Sequence, residues 1–197
     1  MCGRFALYSS AAHINYEFSI TVGAPLCPRY NISPGQPVPI IKEPGVLDFL
    51  QFGMRPAWYK GENLLFNTDI MLLKQYSYYK KLSQKNRCII LANGFYVWQQ
   101  EHSQKQPWFT KSKKHELVAL LGVYDETGFI MLTHKKSAKM QPIMLTAIQA
   151  LKWLNSKEYK IILENFDNLL IDDLIATKVS LKVNNPKFDS IGCIMPI

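Results

Sequence analysis

The chain has 197 residues, 48% of them apolar, and its 23 lysines and arginines against 15 acids give a formal charge of +8. That length suits a single domain over 1–197, the apolar share can fill a core, and no run of about 18 apolar residues argues for a membrane helix. The basic excess points to an anionic partner. Cys2, Cys27, Cys88 and Cys193 lie scattered without C-x-x-C spacing, which speaks against both a disulfide framework and a metal site. The N-terminus lacks the basic-then-apolar order of a signal peptide, so the expectation is a soluble, cytoplasmic, monomeric protein with no cofactor, no metal and no membrane contact.

In chain order, Arg4-Phe5-Ala6-Leu7-Tyr8 reads as a strand, and Ser9-Ser10 offers an N-cap to a short helix carrying His13. The stretch from Cys27 to Pro37 is too rich in proline for a helix and reads as an ordered loop. Val38-Pro39-Ile40-Ile41 is a strand that Pro44-Gly45 turns into an extended Leu47–Met54. Arg55-Pro56-Ala57-Trp58 follows as a rigid turn bearing a cation and an aromatic. Leu64-Leu65-Phe66 is a short apolar run ending at Asn67, and the segment from Leu72 to Ser83 has helical spacing with tyrosines at 76, 78 and 79.

Arg87 to Leu91 reads as a buried strand, Asn93-Gly94 as a hairpin turn, and Phe95-Tyr96-Val97-Trp98 as the returning strand. Gln99 to Gln106 is a polar loop. Strands follow at Leu117–Tyr124 and Phe129–Thr133, with a turn at Gly128 between them. His134 to Gln141 reads as a basic loop and Pro142–Leu145 as a short strand. Thr146 caps a helix over Ala147–Leu154, a second helical pair covers Ser156–Leu163 and Asp167–Ala176, and Val179 to Ile197 alternates loosely. Hairpin turns dominate. The expected class is α+β, a mostly antiparallel, barrel-like β-sheet with peripheral helices.

Chemistry concentrates at the start. If Met1 is removed, Cys2 carries an α-amine and a thiol two carbons apart, with reference pKa values of about 8 and about 8.5. Such a pair condenses with an aldehyde to an imine and then closes sulfur onto the same carbon as a thiazolidine. Without that chemistry, Cys2 is a small buried apolar residue. The four arginines, Arg4, Arg29, Arg55 and Arg87, all lie in the first half. Forks for phosphate beside tryptophan faces are what single-stranded nucleic acid requires, whereas the more numerous lysines equally suit a solvated surface.

Several segments in fixed order resemble the SOS response-associated peptidase (SRAP) family, proteins that process abasic sites in single-stranded DNA. They are Met1-Cys2-Gly3-Arg4-Phe5, Arg29-Tyr30-Asn31-Ile32-Ser33-Pro34-Gly35-Gln36, Phe52-Gly53-Met54-Arg55-Pro56-Ala57-Trp58, Phe66-Asn67, Arg87 through Trp98, Lys105-Gln106-Pro107-Trp108, Leu120 through Tyr124, and Met140 through Leu145. The resemblance implies the SRAP-like fold and a lyase-like reaction. In it the mature N-terminal Cys2 forms a covalent DNA–protein crosslink with an abasic site, Asn67 steadies the terminal amine and sugar, and a histidine assists the sugar. It also implies self-catalysed release of Met1, hence the peptidase name, and action on damaged DNA at the nucleoid.

Three positions depart from the family pattern. Where the family reads Gly-Phe-Tyr-Glu-Trp, this chain has Val97, and valine cannot transfer a proton; such help is worth about 10²–10⁴-fold. Glu101 would lie about 13 Å further along a strand. After Asn67 the usual arginine is replaced by Asp69, an anion where a phosphate is expected. The family histidine corresponds either to His134, displaced by several residues, or to Ala138, in which case it is missing. For DNA the candidates are Arg4 and Arg55 on phosphates and Pro34 and Trp58 as wedge or stacking surfaces. Trp98 is either a further stacking surface or a core tryptophan. Cys27, Cys88 and Cys193 read as inert packing. The implied function is abasic-site crosslinking with weakened acid–base machinery; the alternative is a degenerate paralogue that binds single-stranded DNA without covalent chemistry.

Overall fold

The structure is a computed structural model that describes residues 2–22, 26–136, 139–155 and 157–197. The chain opens with β1 (Phe5–Leu7), fully buried, and α1 (Ala11–Phe18). The Ser10 side chain accepts the His13 amide at 3.2 Å and so caps α1, which buries Ile14 and Phe18 four residues apart on one face. β2 (Arg29–Ile32) lies inside the stretch expected to be a loop. Pro28 and Pro34 flank this strand without interrupting it, and it runs at a sheet edge, where proline is tolerated. β3 (Pro37–Glu43) and β4 (Val46–Gln51) form a hairpin whose turn needs Gly45 at φ +84°.

β5 (Asn67–Asp69) is followed by α2 (Leu72–Gln75) and α3 (Ser77–Lys85). The expected single helix is broken at Tyr76, which adopts an extended conformation between the two. β6 (Arg87–Ala92), β7 (Gly94–Glu101), β8 (Gln104–Ser112), β9 (Val118–Asp125) and β10 (Gly128–Lys136) come next. β11 (Lys139–Pro142) and β12 (Met144–Leu145) precede α4 (Ala147–Leu154), whose N-terminus is a capping box between Thr146 and Gln149. α5 (Tyr159–Asn165) and β13 (Leu174–Lys178) complete the regular elements.

The strands form two open sheets, ordered β13-β8-β7-β1-β2 and β11-β10-β9-β6-β3-β4, with β5 on β10 and β12 on β9. The strand pairs are antiparallel except β5 with β10. The fold is therefore α+β and mainly antiparallel, as expected, but the sheets do not close into a barrel. A shared core includes Phe52 stacked on Phe129 (5.3 Å, 17°) and met edge-on by Phe5 (5.3 Å, 74°). Among the described residues, no helix is long and apolar enough to cross a membrane.

Four expectations about elements are corrected. Asn93-Gly94 is not a hairpin turn: it carries the chain from β6 in one sheet to β7 in the other. Asn93 is 1% exposed, accepts the Tyr8 and Ser9 amides at 2.7 and 3.1 Å, and donates to Ser9 Oγ and the Glu116 carbonyl. A Cβ at Gly94 would lie 2.5 Å from the Thr110 carbonyl oxygen, so glycine is needed for close approach. The hairpin lies further on, where β7 and β8 turn at His102 (φ 49°), inside the expected polar loop. The basic stretch after His134 continues as the β10–β11 pair. Within the expected helix Asp167–Ala176, the chain makes a short 3-10 turn and then enters β13, which pairs with β8 through Thr110 and Lys111.

Arg87, at the head of the expected buried strand, has a structural task. Its guanidinium is buried and donates to the carbonyls of Ser83, Gln84, Trp153 and Leu154 at 2.6–2.9 Å. It closes the C-terminal ends of α3 and α4 together, satisfying carbonyls that have no partner within their own helices. The Tyr159 ring lies 4.4 Å beneath it.

Candidate active site

Cys2 sits between the two sheets. The Tyr96 amide of β7 donates to the Arg4 carbonyl at 2.9 Å and fixes the segment on one side. On the other side, Asn67 Nδ2 at the head of β5 donates to the Cys2 carbonyl at 2.8 Å. Gly3 passes close to the Phe66 ring, 3.0 Å from where a Cβ would stand. Cys2 is 1% exposed, and its thiol faces the Arg4 carbonyl at 3.5 Å. Burial pushes the thiol pKa up to about 12, so in this state it is a neutral thiol at pH 7.

Position 97 opens into a hollow of about 230 Å³. Val97, Gln99 and Thr110 come from one sheet, Lys136 and Gln141 from the β10–β11 hairpin, and Asp172 from the approach to β13. Glu101 lies on the same face of β7, two alternations further along. Its carboxylate is engaged there: it accepts Lys178 Nζ at 2.6 Å and Trp108 Nε1 at 3.2 Å, and Lys178 holds it below the usual carboxylate range. Glu101 therefore does not stand in for a carboxylate at 97. The ionisable groups of the hollow, Lys136 and Asp172, carried no signal in the sequence: one lies in a stretch read as loop, the other in a stretch read as helix.

His134 stands on the strand face that borders this hollow, since it shares that face with Lys136 and is the register partner of Gln141. Along β10, Met131 and Thr133 are the register partners of Asn67 and Asp69, and alternation turns the His134 side chain to the opposite face. There it is 6% exposed and meets the Phe166 ring edge-on at 5.7 Å. Burial pushes its pKa down most strongly, and Lys136 adds to this, while Asp167 and Asp69 oppose. The alternative position, Ala138, lies outside the described residues. Asp69 has a local task, since its Oδ1 accepts the Met71 amide at 2.9 Å and shapes the entry to α2.

The DNA candidates divide into bound and free groups. Arg4 is half-buried and donates to Asn31 Oδ1 and the Val183 carbonyl, both at 2.7 Å, and to the Asn184 carbonyl at 3.4 Å. Trp98 is partly buried, tilted against Tyr96, and donates to Asn184 Oδ1 at 2.7 Å. Arg55 is exposed, with its guanidinium at the Glu62 carbonyl, and Trp58 is 51% exposed. Pro34 stands half-buried in the turn ahead of Gly35, whose φ is +92°. Cys88 and Cys193 are buried as expected, but Cys27 is exposed.

The family model for SOS response associated peptidase (SRAP) matches residues 1–186. Abasic site processing protein YoqW of Bacillus subtilis is 30% identical over 220 residues, covering 96% of this chain and 97% of its own. Abasic site processing protein YoaM of the same organism is 30% identical over 219 residues, with 96% of each covered. Abasic site processing protein HMCES of Gallus gallus is 40% identical over 81 residues, 36% of this chain and 24% of its own length. A crystal structure of a protein from Bacteroides thetaiotaomicron superposes over the whole of both chains with a TM-score of 0.83 at 17% identity, a likeness of fold. With its N-terminal cysteine tied to Asn67 between two sheets of this topology, the chain belongs to the SRAP family.

Proposed function

We propose that the protein, once Met1 is removed, crosslinks to abasic sites in single-stranded DNA through Cys2. The observation that carries this reading is the 2.8 Å hydrogen bond from Asn67 Nδ2 to the Cys2 carbonyl. It anchors residue 2 by its own backbone carbonyl and so uses neither of the nucleophiles of a freed N-terminus. Relatives across nearly the whole length are named abasic site processing proteins, which supports the same chemistry here.

The reaction needs no oxidant or reductant. The α-amine of Cys2 adds to the aldehyde carbon of the ring-opened sugar, and loss of water gives an imine. The thiol sulfur then adds to that carbon, and its proton ends on nitrogen. Holding an aldehyde beside a fixed aminothiol supplies much of the rate through proximity. Arg55 and Trp58, exposed on one turn, are the groups freest to meet phosphate and base; Arg4, Pro34 and Trp98 shape the surface near residue 2.

A second reading, binding of single-stranded DNA without covalent chemistry, is favoured by Val97 and Asp69. One experiment separates the two. Mature protein, with Met1 shown absent by intact mass, is incubated with an abasic oligonucleotide and run on a denaturing gel beside Cys2→Ala. Crosslinking predicts a shifted band in wild type only. Equal binding with no band in either supports the second reading.

A further inference from the structure

The sugar of an abasic site rests mostly as a closed hemiacetal, and an amine adds only to its open aldehyde. Opening moves one proton. The C1′ hydroxyl gives it up, the C1′–O4′ bond breaks with its electron pair going to O4′, and O4′ takes a proton. A carboxylate that accepts the first proton and returns it to O4′ balances the step and ends unchanged. Val97 cannot do this, and Glu101 is held by Lys178 and Trp108.

Asp172 lines the hollow at Val97 from another wall. The Cys2 thiol and the Tyr96 amide share one acceptor, the Arg4 carbonyl, at 3.5 and 2.9 Å, so residue 2 lies alongside β7 one residue from Val97. It lies on the same side of that strand: Cys2 and Val97 belong to the core between the sheets, whereas Tyr96 and Trp98 pack in the cluster on the other face. A hollow of about 230 Å³ has room for little more than one sugar, which brings a sugar seated there against both the Val97 wall and the Asp172 wall.

The backbone carrying Asp172 is clamped on both sides. The Ile171 amide donates to the Met144 carbonyl and the Lys113 amide to the Asp173 carbonyl, each at 3.0 Å, and Leu174 enters register with Ser112. Such fixing is what a group positioned for proton transfer requires. The neighbouring Asp173 is occupied, accepting Ser112 Oγ at 2.8 Å and the Lys114 amide at 2.9 Å. The hollow's cation is Lys136, while Asp167 and Asp69 act on His134. His134 borders the hollow but is buried against the Phe166 ring, so the exposed Asp172 is freer to exchange a proton with a sugar. We propose that Asp172 carries the proton that opens the abasic sugar, performing from the approach to β13 the task that Val97 cannot perform from β7. This inference rests on the crosslinking proposed above and adds a catalytic residue to it.

The test measures single-turnover crosslinking at saturating oligonucleotide for wild type, Asp172→Asn, Val97→Glu and the double variant. Two single strands are compared: one with a natural abasic sugar, the other with an acyclic aldehyde of the same reach that cannot close to a hemiacetal. Asp172→Asn is expected to slow the reaction of the natural sugar by about 10²-fold, the low end for general acid–base help, and to leave the acyclic aldehyde at the wild-type rate. Removing an anion favours phosphate binding, so that loss runs against the change in charge. With Glu at 97 the Asp172→Asn change is expected to have no further effect. A natural-sugar rate unchanged by Asp172→Asn, in a wild type that crosslinks, overturns the role of Asp172 alone. Equal slowing on both strands shows that Asp172 does not act in ring opening and also overturns it. Failure of wild type to crosslink either strand overturns the proposed function together with this role.

Discussion

At the scale of single residues, the candidate site pairs a well-held nucleophile with a missing acid. Asn67 holds the Cys2 backbone at 2.8 Å, while Val97 presents two methyl groups to a hollow that also contains Lys136 and Asp172. Val97→Glu restores a carboxyl at the mouth of that hollow, so single-turnover crosslinking is expected to accelerate, by up to about 10²–10⁴-fold. An unchanged rate would show that proton transfer at 97 does not limit the reaction. His134 makes a separate prediction. Its folded pKa lies below the ordinary imidazole value of about 6.5 because burial disfavours the imidazolium. Its neutral form therefore contributes stability in full above about 6.5, and that contribution is lost as pH falls towards the depressed folded value. Thermal melts between pH 5 and 8 should show a steeper acid-side decline for wild type than for His134→Phe. Parallel profiles would contradict this assignment.

At the scale of elements, two polar side chains set the arrangement of helices and sheets. Arg87 gathers four carbonyls from the ends of α3 and α4, and replacing it leaves those acceptors without a partner in a buried place. Arg87→Ala is expected to cost on the order of 3 kcal/mol or more in denaturant unfolding, since each bond to a charged donor is worth about 1.5–3 kcal/mol. A loss below about 1 kcal/mol, the median for a surface ion pair, would mean the cation is dispensable. Local sequence gave no warning of this role, because the partners of Arg87 include carbonyls of Trp153 and Leu154 from a distant helix. The same holds for Asn93-Gly94. Its turn chemistry is genuine, but four hydrogen bonds from the Asn93 side chain to residues 8, 9 and 116 outweigh it. The helix at Ala147, by contrast, is set by a local capping box and was fully legible.

At the scale of the whole molecule, the C-terminal segment is fastened across the strand that follows α1. Asn31 donates to the carbonyls of Val183, Asn185 and Phe188, and Asp189 accepts from Arg29 and from the amides of Tyr30 and Asn31. Part of this clasp lies beyond residue 186, where the family match ends. Deleting residues 187–197 should lower Tm by about 5–10 °C, the shift expected when a few kcal/mol are lost from a chain of this size. A truncated protein melting like the full chain would show that the clasp adds nothing. Long apolar runs such as Val118–Tyr124 and Arg87–Leu91 made the central strands readable. The division into two open sheets was not, because strand order depends on crossovers such as Asn93 that have no local signature. Cys2 and Asn67 were legible as partners through the family pattern; the groups lining the Val97 hollow meet only in three dimensions.

The measurement that bears most directly on the central claim is mass spectrometry of the N-terminal peptide after mature protein reacts with an abasic single strand. The account predicts the sugar remnant on residue 2 with one water lost, a blocked α-amine and no free thiol, stable without borohydride. No adduct, or one confined to a lysine and retained only after borohydride reduction, would contradict it.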